Sequence, residues 1–219
     1  MSGDNQPQVC EKHCACKELV HQTKLIVLTG GPGAGKTAVL ELVRKQLCEH
    51  VAILPEAASI VFGGGFWRLE TPSARLAAQK AIIHIQQEME NLVLDEKKWS
   101  IGLCDRGLPD GLAYWPSEEA SFWQATGMTR QKAYDRYYSV IHLRSPGEDQ
   151  GYNHQNPLRI ESAHQAALID EKIHAVWSKH PRYHMVESAT DFLTKARKAI
   201  NLAVDDLPDC CRSGFQKNI

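Results

Sequence analysis

The sequence lacks the features that identify several large classes of protein. No apolar run approaches the ~20 residues that a membrane-spanning helix needs, and the polar first residues contain no apolar core of a signal peptide. The 219 residues are 43% hydrophobic and 23% charged, a balance that excludes collagen-like, coiled-coil and wholly disordered chains. We therefore expect a cytoplasmic protein with no membrane contact and one sizeable domain.

An excess of charge of either sign is also lacking. The chain has 25 Lys and Arg residues against 26 Asp and Glu residues, a net charge of −1. Proteins that bind nucleic acid chiefly by neutralising phosphates carry a basic surface, so a nucleic acid partner, including the substrate of a polynucleotide kinase, is disfavoured. The net charge does not exclude a local basic pocket. The sequence has no Asn-Lys-x-Asp guanine signature, which argues against a GTPase, and its ten histidines show no His-Glu-x-x-His spacing.

Without a secretory signal, the seven cysteines are expected to be reduced. Cys48 and Cys104 lie in apolar stretches and are interpreted as buried small residues. Residues 10–16 contain three cysteines and His13, four soft ligands that would suit Zn²⁺ or Cu⁺. Structural zinc sites usually combine two separated ligand pairs. We therefore interpret residues 1–22 as a flexible Cys-rich tail and leave metal binding by this cluster open.

Short apolar runs alternate with helical patterns along residues 23–204, and the polar residues 205–219 are interpreted as a second flexible tail. Strands are predicted at residues 24–29, 51–54, 100–104, 138–143 and 183–186. Helices are predicted at residues 38–47, 73–98, 118–125, 130–136, 160–180 and 190–204. This alternation predicts an α/β domain with a parallel sheet of five strands, covered on both faces in three layers.

Two further expectations concern the stretch between the second and third strands. Residues 60–71 contain three consecutive glycines and are predicted to form a mobile loop. The long helix that follows is predicted to bury one apolar stripe. Its members are Ala78, Ile82, Ile85, Met89 and Leu92.

Residues 30–37, GGPGAGKT, fit the pattern G-x-x-x-x-G-K-[ST] between a predicted strand and a predicted helix. The glycines let successive N–H groups converge on phosphate oxygens, and the start of the helix adds partial positive charge. Lys36 would reach the β- and γ-phosphates, and Thr37 would hold Mg²⁺, so ATP and Mg²⁺ are the predicted cofactors. A Rossmann site would need a glycine where Lys36 stands. The predicted cofactor-binding residues are Gly31, Gly33, Ala34, Gly35, Lys36 and Thr37.

Two acidic residues follow predicted strands at the edge where ligands bind in open parallel sheets. Glu56 follows the second strand, and Asp105 ends the third. Asp105 suits a Walker-B-like role that orders Mg²⁺, and Arg106 could meet a phosphate as a bidentate fork. Glu56 could take a proton from a substrate hydroxyl or, alternatively, cap the next segment.

The combination of GGPGAGKT, PEAAS, CDRGLPDGLAYWP and RIESAHQAALID resembles the NadR-like "AAA domain" family of small P-loop ATPases and kinases. This family is related to ribosylnicotinamide kinase and, more distantly, to deoxynucleoside and thymidylate kinases. The resemblance covers about residues 24–203. It implies a P-loop NTPase fold with a kinase-like, five-stranded core.

The resemblance also implies roles for single residues. Glu56 matches the catalytic base of the related kinases, and Asp105 with Arg106 matches their D-R-[SG] segment. A basic lid residue matches Arg159, with Arg144 as a further candidate. A glutamine that contacts the base in deoxynucleoside kinases matches Gln79 or Gln86.

Residues 145–160 are polar, contain proline and glycine, and join the fourth strand to the next helix. A phosphotransferase must exclude water, because otherwise ATP is hydrolysed. A segment that closes over the site and supplies Arg159 to the transferring phosphate would meet this need.

These features predict an ATP- and Mg²⁺-dependent kinase whose partner is a small-molecule phosphate acceptor, such as a nucleoside or a nucleotide-like metabolite. The alternative is an ATPase or nucleotide-dependent switch that binds a protein partner through moving loops at residues 60–71 and 106–118. The residues name neither the acceptor nor an oligomeric state.

Overall fold

Strands and helices alternate along residues 22–145, 163–188 and 191–212, the part of the chain that the computed structural model describes. The strands in this part are β1 (Lys24–Thr29), β2 (Val51–Leu54), β3 (Ile101–Asp105), β4 (Tyr137–Leu143) and β5 (Tyr183–Val186). The α-helices are α1 (Lys36–Gln46), α2 (Ala57–Gly63), α3 (Pro72–Glu96), α4 (Glu119–Thr126), α5 (Arg130–Asp135), α6 (Ala163–Trp177), α7 (Phe192–Asp205) and α8 (Asp209–Arg212). A 3-10 helix spans Leu108–Ala113. None of these helices is long and apolar enough to cross a membrane.

The strands form one parallel sheet in the order β2-β3-β1-β4-β5. The predicted α/β class and five-stranded parallel sheet are therefore confirmed. The central strand β1 pairs with β3 on one side and β4 on the other, and Leu28 lies opposite Asp105 in this register. Because the strands are parallel, the loop after β1 and the acidic end of β3 emerge side by side at the same edge.

Both faces of the sheet are buried, which gives the three layers. In β1, Ile26 and Leu28 belong to a core packed under α1 and α7, whereas Leu25 and Val27 belong to the core under α3 and α6. Alternate side chains of a strand point to opposite faces, so a continuous apolar run is required here. Trp177 of α6 is fully buried in the second core.

The predicted loop at residues 60–71 and the predicted stripe of the long helix differ from the structure. Residues 57–63 form α2, so helix occupies the first part of the predicted loop. Along α3, Leu92 is 58% exposed, and the buried face is rotated from the predicted one. The buried residues of α3 are Ala78, Ile83, Gln86, Glu90 and Val93. Two polar residues were wrongly excluded from the stripe, because sequence alone does not reveal partners that make their burial favourable.

The chain stays folded beyond residue 204, where sequence analysis placed the start of a flexible tail. Leu207 is 2% exposed and Cys211 is 1% exposed, and both belong to the core under α1 and α7. Asp206 is buried and accepts a hydrogen bond from Ser139 Oγ of β4. Residues 205–212 are therefore part of the folded domain.

Candidate active site

The phosphate loop, residues 30–37, joins the end of β1 to the start of α1. Gly30 has a φ of 135°, and a Cβ there would lie 2.1 Å from the carbonyl oxygen of Leu143 in β4. Gly35, with a φ of 93°, precedes the first residue of α1. Glycine adopts this left-handed backbone without strain. The loop amides consequently gather at a helix N-terminus, where partial positive charge favours phosphate oxygens.

Lys36 is held inside this loop. Its Nζ donates hydrogen bonds to the carbonyl oxygens of Gly30, at 3.0 Å, and Gly31, at 3.3 Å. Burial and, to a smaller extent, the positive charge of Arg106 lower the pKa of Lys36 to about 8, against the opposing pull of the carboxylates. The ammonium group is thus poorly solvated and would gain from an anionic partner.

Asp105 ends β3 beside the loop and is 7% exposed. Its Oδ1 is buried and has no hydrogen-bond partner among the residues that the structure describes. Burial raises the pKa of Asp105 to about 6, although Lys36 pulls it down. Thr37 is exposed to the same cleft. A carboxylate and a hydroxyl next to a phosphate loop are hard oxygen ligands, so this donor set fits Mg²⁺ on a nucleotide phosphate chain.

Glu56 and Arg106 form an ion pair at the same edge, with Nε of Arg106 2.8 Å from Oε1 of Glu56. Arg106 also donates through Nη1 to the carbonyl oxygen of Gly30, at 3.1 Å. Burial opposes ionisation of Glu56, but Arg106 and Lys36 outweigh it and hold its pKa at about 2. Arg106 has a φ of 74°, in the left-handed region that is strained for a residue other than glycine. Such strained residues cluster at functional sites.

A cleft of about 950 Å³ extends from the phosphate loop past these charged residues. Three aromatic side chains line it, and Trp67, 79% exposed, stands at its rim. By contrast, Trp115 packs edge-on against Phe122, with ring centroids 5.4 Å apart. The cleft lining includes Phe62, Trp67, Arg68, Arg75, Gln79, Gln86, Tyr114 and Lys172.

Sequence reasoning missed Asp170, which connects the phosphate loop to the end of β4. Its Oδ1 accepts from the amide of Gly31 at 2.6 Å and lies 3.0 Å from Nε2 of His142. Its Oδ2 lies 3.2 Å from Nη1 of Arg144 and accepts from the amide of Ser145 at 3.4 Å. Arg144, the additional lid candidate, is thus tied to α6. Asp170 is the last residue of the RIESAHQAALID segment. It lies 139 residues from Gly31 in the sequence, so no local pattern predicts that the two residues meet.

Lys195 of α7 is a second residue without a sequence signal, because a lysine in an amphipathic helix resembles a solvated surface residue. It is 4% exposed, and its Nζ donates to the carbonyl oxygens of Ala34, at 2.9 Å, and Arg144. Burial lowers the pKa of Lys195 to about 8. α7 also packs Phe192 against Gly35. A Cβ on Gly35 would lie only 2.6 Å from a ring carbon of Phe192.

Asp110 orders the segment that follows β3. It is 2% exposed, accepts from the amide of Gly107 at 2.7 Å, and accepts from Nε1 of Trp177 at 3.3 Å. Thr29, the last residue of β1, donates its hydroxyl to the other carboxylate oxygen.

Several predicted features lie outside the described residues. They are Arg159, most of the predicted lid at residues 145–160, and the cysteine and histidine cluster at residues 10–16. Their predicted roles stay predictions. Of the remaining predicted site residues, six line one cleft: Gly33, Lys36, Thr37, Glu56, Asp105 and Arg106. Gly31, Ala34 and Gly35 belong to the phosphate loop but not to the cleft lining.

Solved structures share this fold. Thymidylate kinase from Ehrlichia chaffeensis has a TM-score of 0.54 at 15% identity, over 83% of this chain and 98% of that chain. NadR protein in complex with NR has a TM-score of 0.64 at 14% identity over 85% of this chain. NadR protein in complex with NAD and AMP-PNP has a TM-score of 0.60 at 12% identity over 90%. This chain spans 52% of the NadR chains. The fold is thus that of the P-loop kinases.

Within that class, a model of the family described as AAA domain matches residues 25–194. The chain belongs to this family, as the resemblance implied. No curated protein sequence matches the chain significantly. The identities to the solved structures are low, so their likeness concerns the fold.

Proposed function

We propose that this protein transfers the γ-phosphoryl group of ATP to a hydroxyl or phosphate oxygen of a small molecule. One observation carries the proposal. A single cleft holds Lys36 and Asp105 next to the phosphate loop, and Oδ1 of Asp105 has no hydrogen-bond partner within the described ranges. The cleft continues past the Glu56–Arg106 pair into an aromatic-lined space. A site for ATP hydrolysis alone would not need that second space.

The roles of the nucleotide-binding residues follow from their positions. ATP would supply the phosphoryl group, and Mg²⁺ would neutralise charge on its oxygens. The amides of Gly33 and Gly35 bind phosphate oxygens, and Lys36 exchanges its two carbonyl contacts for them. The amides of Gly31 and Ala34, which donate to Asp170 and to the Gly31 carbonyl oxygen in this structure, would exchange these contacts for phosphate oxygens. Thr37 and Asp105 would hold the metal ion.

Glu56 and Arg106 face the acceptor. A carboxylate whose pKa is about 2 is a weak base. In a loose phosphoryl-transfer transition state, however, catalysis comes mainly from positioning and electrostatics. Glu56 therefore orients the attacking hydroxyl and receives its proton late, while Arg106 stabilises charge on the transferring group. Arg159 is proposed as the cation that closes over the same group.

The lining of the outer cleft supports a planar acceptor with polar groups. Phe62, Trp67 and Tyr114 offer aromatic faces, and Gln79 offers an amide that can pair with a heterocycle. A nucleoside or a nucleotide-like metabolite has both features. Arg75 and Lys172 supply positive charge for any phosphate that it carries.

The test measures ADP formation with Mg·ATP and a panel of nucleosides, nucleotides and other hydroxyl metabolites. At least one acceptor should raise ADP formation and yield a phosphorylated product by mass spectrometry. The Lys36→Ala variant should lower turnover at least about 100-fold, because charge-assisted phosphate contacts are lost. If no acceptor raises ADP formation above that of Lys36→Ala, the kinase proposal fails.

A second candidate is an ATPase or nucleotide-dependent switch with a protein partner. It is motivated by exposed apolar side chains after α2, where Phe66, Trp67 and Leu69 are 40%, 79% and 53% exposed, and Trp67 and Leu69 line the cleft. Glu56→Gln distinguishes the two functions. A kinase with this substitution should lose phosphoryl transfer and keep its ATP affinity. A switch should keep both ATP-dependent partner binding and ATP affinity.

A further inference from the structure

Two cysteines and a histidine meet at the edge of the sheet opposite the phosphate loop. The Sγ atoms of Cys48 and Cys211 and a ring nitrogen of His50 all lie within 4.8 Å of one another. Cys48 and His50 precede β2, so they stand at the amino ends of the strands, whereas the phosphate loop, Glu56 and Asp105 lie at the carboxyl ends. We propose that Cys48, His50 and Cys211 bind one Zn²⁺ ion.

The ligand chemistry favours zinc over harder ions. Thiolate sulfur and imidazole nitrogen are the ligands that zinc selects, whereas Mg²⁺ and Ca²⁺ prefer oxygen. With bonds of about 2.0–2.3 Å in a tetrahedral site whose fourth ligand is a water molecule, the protein ligand atoms stand about 3.5–3.8 Å apart. Closing separations of at most 4.8 Å to that range takes only small side-chain adjustments.

The charge balance also fits a buried position, since Cys48 is 9% and Cys211 is 1% exposed. Binding converts both thiols to thiolates and releases two protons to solvent, while neutral His50 donates a nitrogen lone pair. Two thiolates cancel the double charge of Zn²⁺. The loaded site is therefore neutral, which limits the cost of keeping charge away from water.

The backbone around the three ligands is held in place by other contacts. The carbonyl oxygen of His50 accepts from the amide of Ser100 at 2.8 Å and from its hydroxyl at 3.1 Å. The hydroxyl oxygen of Ser100 also lies 3.4 Å from Sγ of Cys211. The amide of Cys211 donates to the carbonyl oxygen of Pro208 at 2.9 Å. Zinc would thus join the loop before β2 to the last helix, α8.

Cys104 shows what a packing cysteine looks like in this fold. It is fully buried on the other face of the sheet, in the core under α3 and α6, and belongs to no such group of ligands in the described part of the chain. A disulfide between Cys48 and Cys211 would need an oxidant, whereas metal binding needs none. Metal binding uses all three side chains.

The test uses the full chain with Cys10, Cys14 and Cys16 changed to Ser, so that the N-terminal cluster cannot contribute. We expect one zinc per chain by elemental analysis. Cobalt substitution should give the visible bands of a tetrahedral ion and near-ultraviolet thiolate charge transfer. Cys48→Ala, Cys211→Ala and His50→Ala should each weaken zinc binding at least about 100-fold in a chelator competition. Cys104→Ala, the matched control, should retain it.

A measurement of thermal stability covers the case in which a variant folds poorly. Chelation should lower the Tm of the parent chain and leave that of Cys48→Ala unchanged. Substoichiometric zinc in the parent chain would overturn the proposal. So would zinc retained in all three ligand variants, zinc lost only on Cys210→Ala, or a parent chain that forms a disulfide and binds no cobalt.

Discussion

Burial and a shared set of charges separate the proton affinities of neighbouring site residues. Asp105 and Glu56 are both carboxylates at the carboxyl edge of the sheet, yet the pKa of Asp105 is about 6 and that of Glu56 is about 2. Burial raises the pKa of both. Arg106 pairs directly with Glu56, at 2.8 Å, and so overcomes burial there and not at Asp105. The pKa of Lys36 falls to about 8 in the same environment.

These pKa values predict a bell-shaped pH dependence of Mg·ATP affinity. In its proposed role as a metal ligand, Asp105 must be ionised, so affinity should rise as pH rises through about 6. In its proposed role as a phosphate ligand, Lys36 must be charged, so affinity should fall as pH rises through about 8. Isothermal titration calorimetry on both sides of these values measures the effect.

Single substitutions assign the two limbs of that profile. The acidic limb contains the titration of Asp105 and that of ATP itself. Asp105→Asn should remove the first contribution and leave the second, so the difference between the two profiles measures the contribution of Asp105. Lys36→Ala should remove the alkaline limb and weaken ATP binding about 10- to 100-fold. A profile that keeps its alkaline limb in Lys36→Ala would refute the assignment.

At the scale of a single element, α3 is oriented by a buried polar network. Glu90 is fully buried, and its Oε2 lies 2.9 Å from Nη2 of Arg136. Its Oε1 accepts from Tyr137 at 2.7 Å and from Gln86 at 2.8 Å. Gln86 also donates to the carbonyl oxygen of Arg106 at 3.2 Å. The network therefore links the long helix to β4 and to the edge of the sheet that carries the candidate site.

Removing Glu90 should destabilise the protein severely. Glu90→Ala leaves the Arg136 charge without its buried partner, and breaking such a pair costs about 3–5 kcal/mol of unfolding free energy. Chemical denaturation measures the change. Glu88→Ala, an exposed position on the same helix, is the matched control and should change stability by less than about 0.5 kcal/mol. Equal effects of the two substitutions would contradict the role of the network.

At the scale of the whole molecule, the C-terminal segment completes the core under α1 and α7. Leu207 and Cys211 fill that core, and Asp206 pairs with Arg182, at 2.6 Å from its Nη2. Arg212 donates to the carbonyl oxygens of Asp205 and Leu207, each at 2.9 Å. The domain boundary consequently lies beyond these contacts.

Two truncated chains test that boundary. A chain that ends at residue 204 loses Leu207 and Cys211 from the core, and should lose more than about 3 kcal/mol of stability, which lowers Tm by at least about 6 °C. A chain that ends at residue 212 should keep the Tm of the full chain. Calorimetry measures the Tm of both chains. An unchanged Tm for the shorter chain would mean that burial of Leu207 and Cys211 contributes little to stability.

Some features could be predicted because their signal is continuous along the chain. The strands at Lys24–Thr29, Val51–Leu54 and Tyr183–Val186 have the predicted bounds, since each is a short apolar run. The buried face of α3 could not be predicted, because burial of Glu90 is favourable only when Arg136 and Tyr137, from a distant segment of the chain, pair with its carboxylate. Asp170 escaped detection for the same reason, as its partner Gly31 is 139 residues away.

The sequence by itself determined the phosphate loop, the alternation of strands with helices and the acidic residues at strand ends, because local backbone preferences and adjacent residues suffice for these. The tertiary structure decided which distant residues meet. The strand order β2-β3-β1-β4-β5 brings Glu56 and Asp105 to the phosphate loop, and it brings Cys48 and His50 to Cys211 at the opposite edge. Such meetings depend on the energy of packing the whole chain, which no local pattern contains.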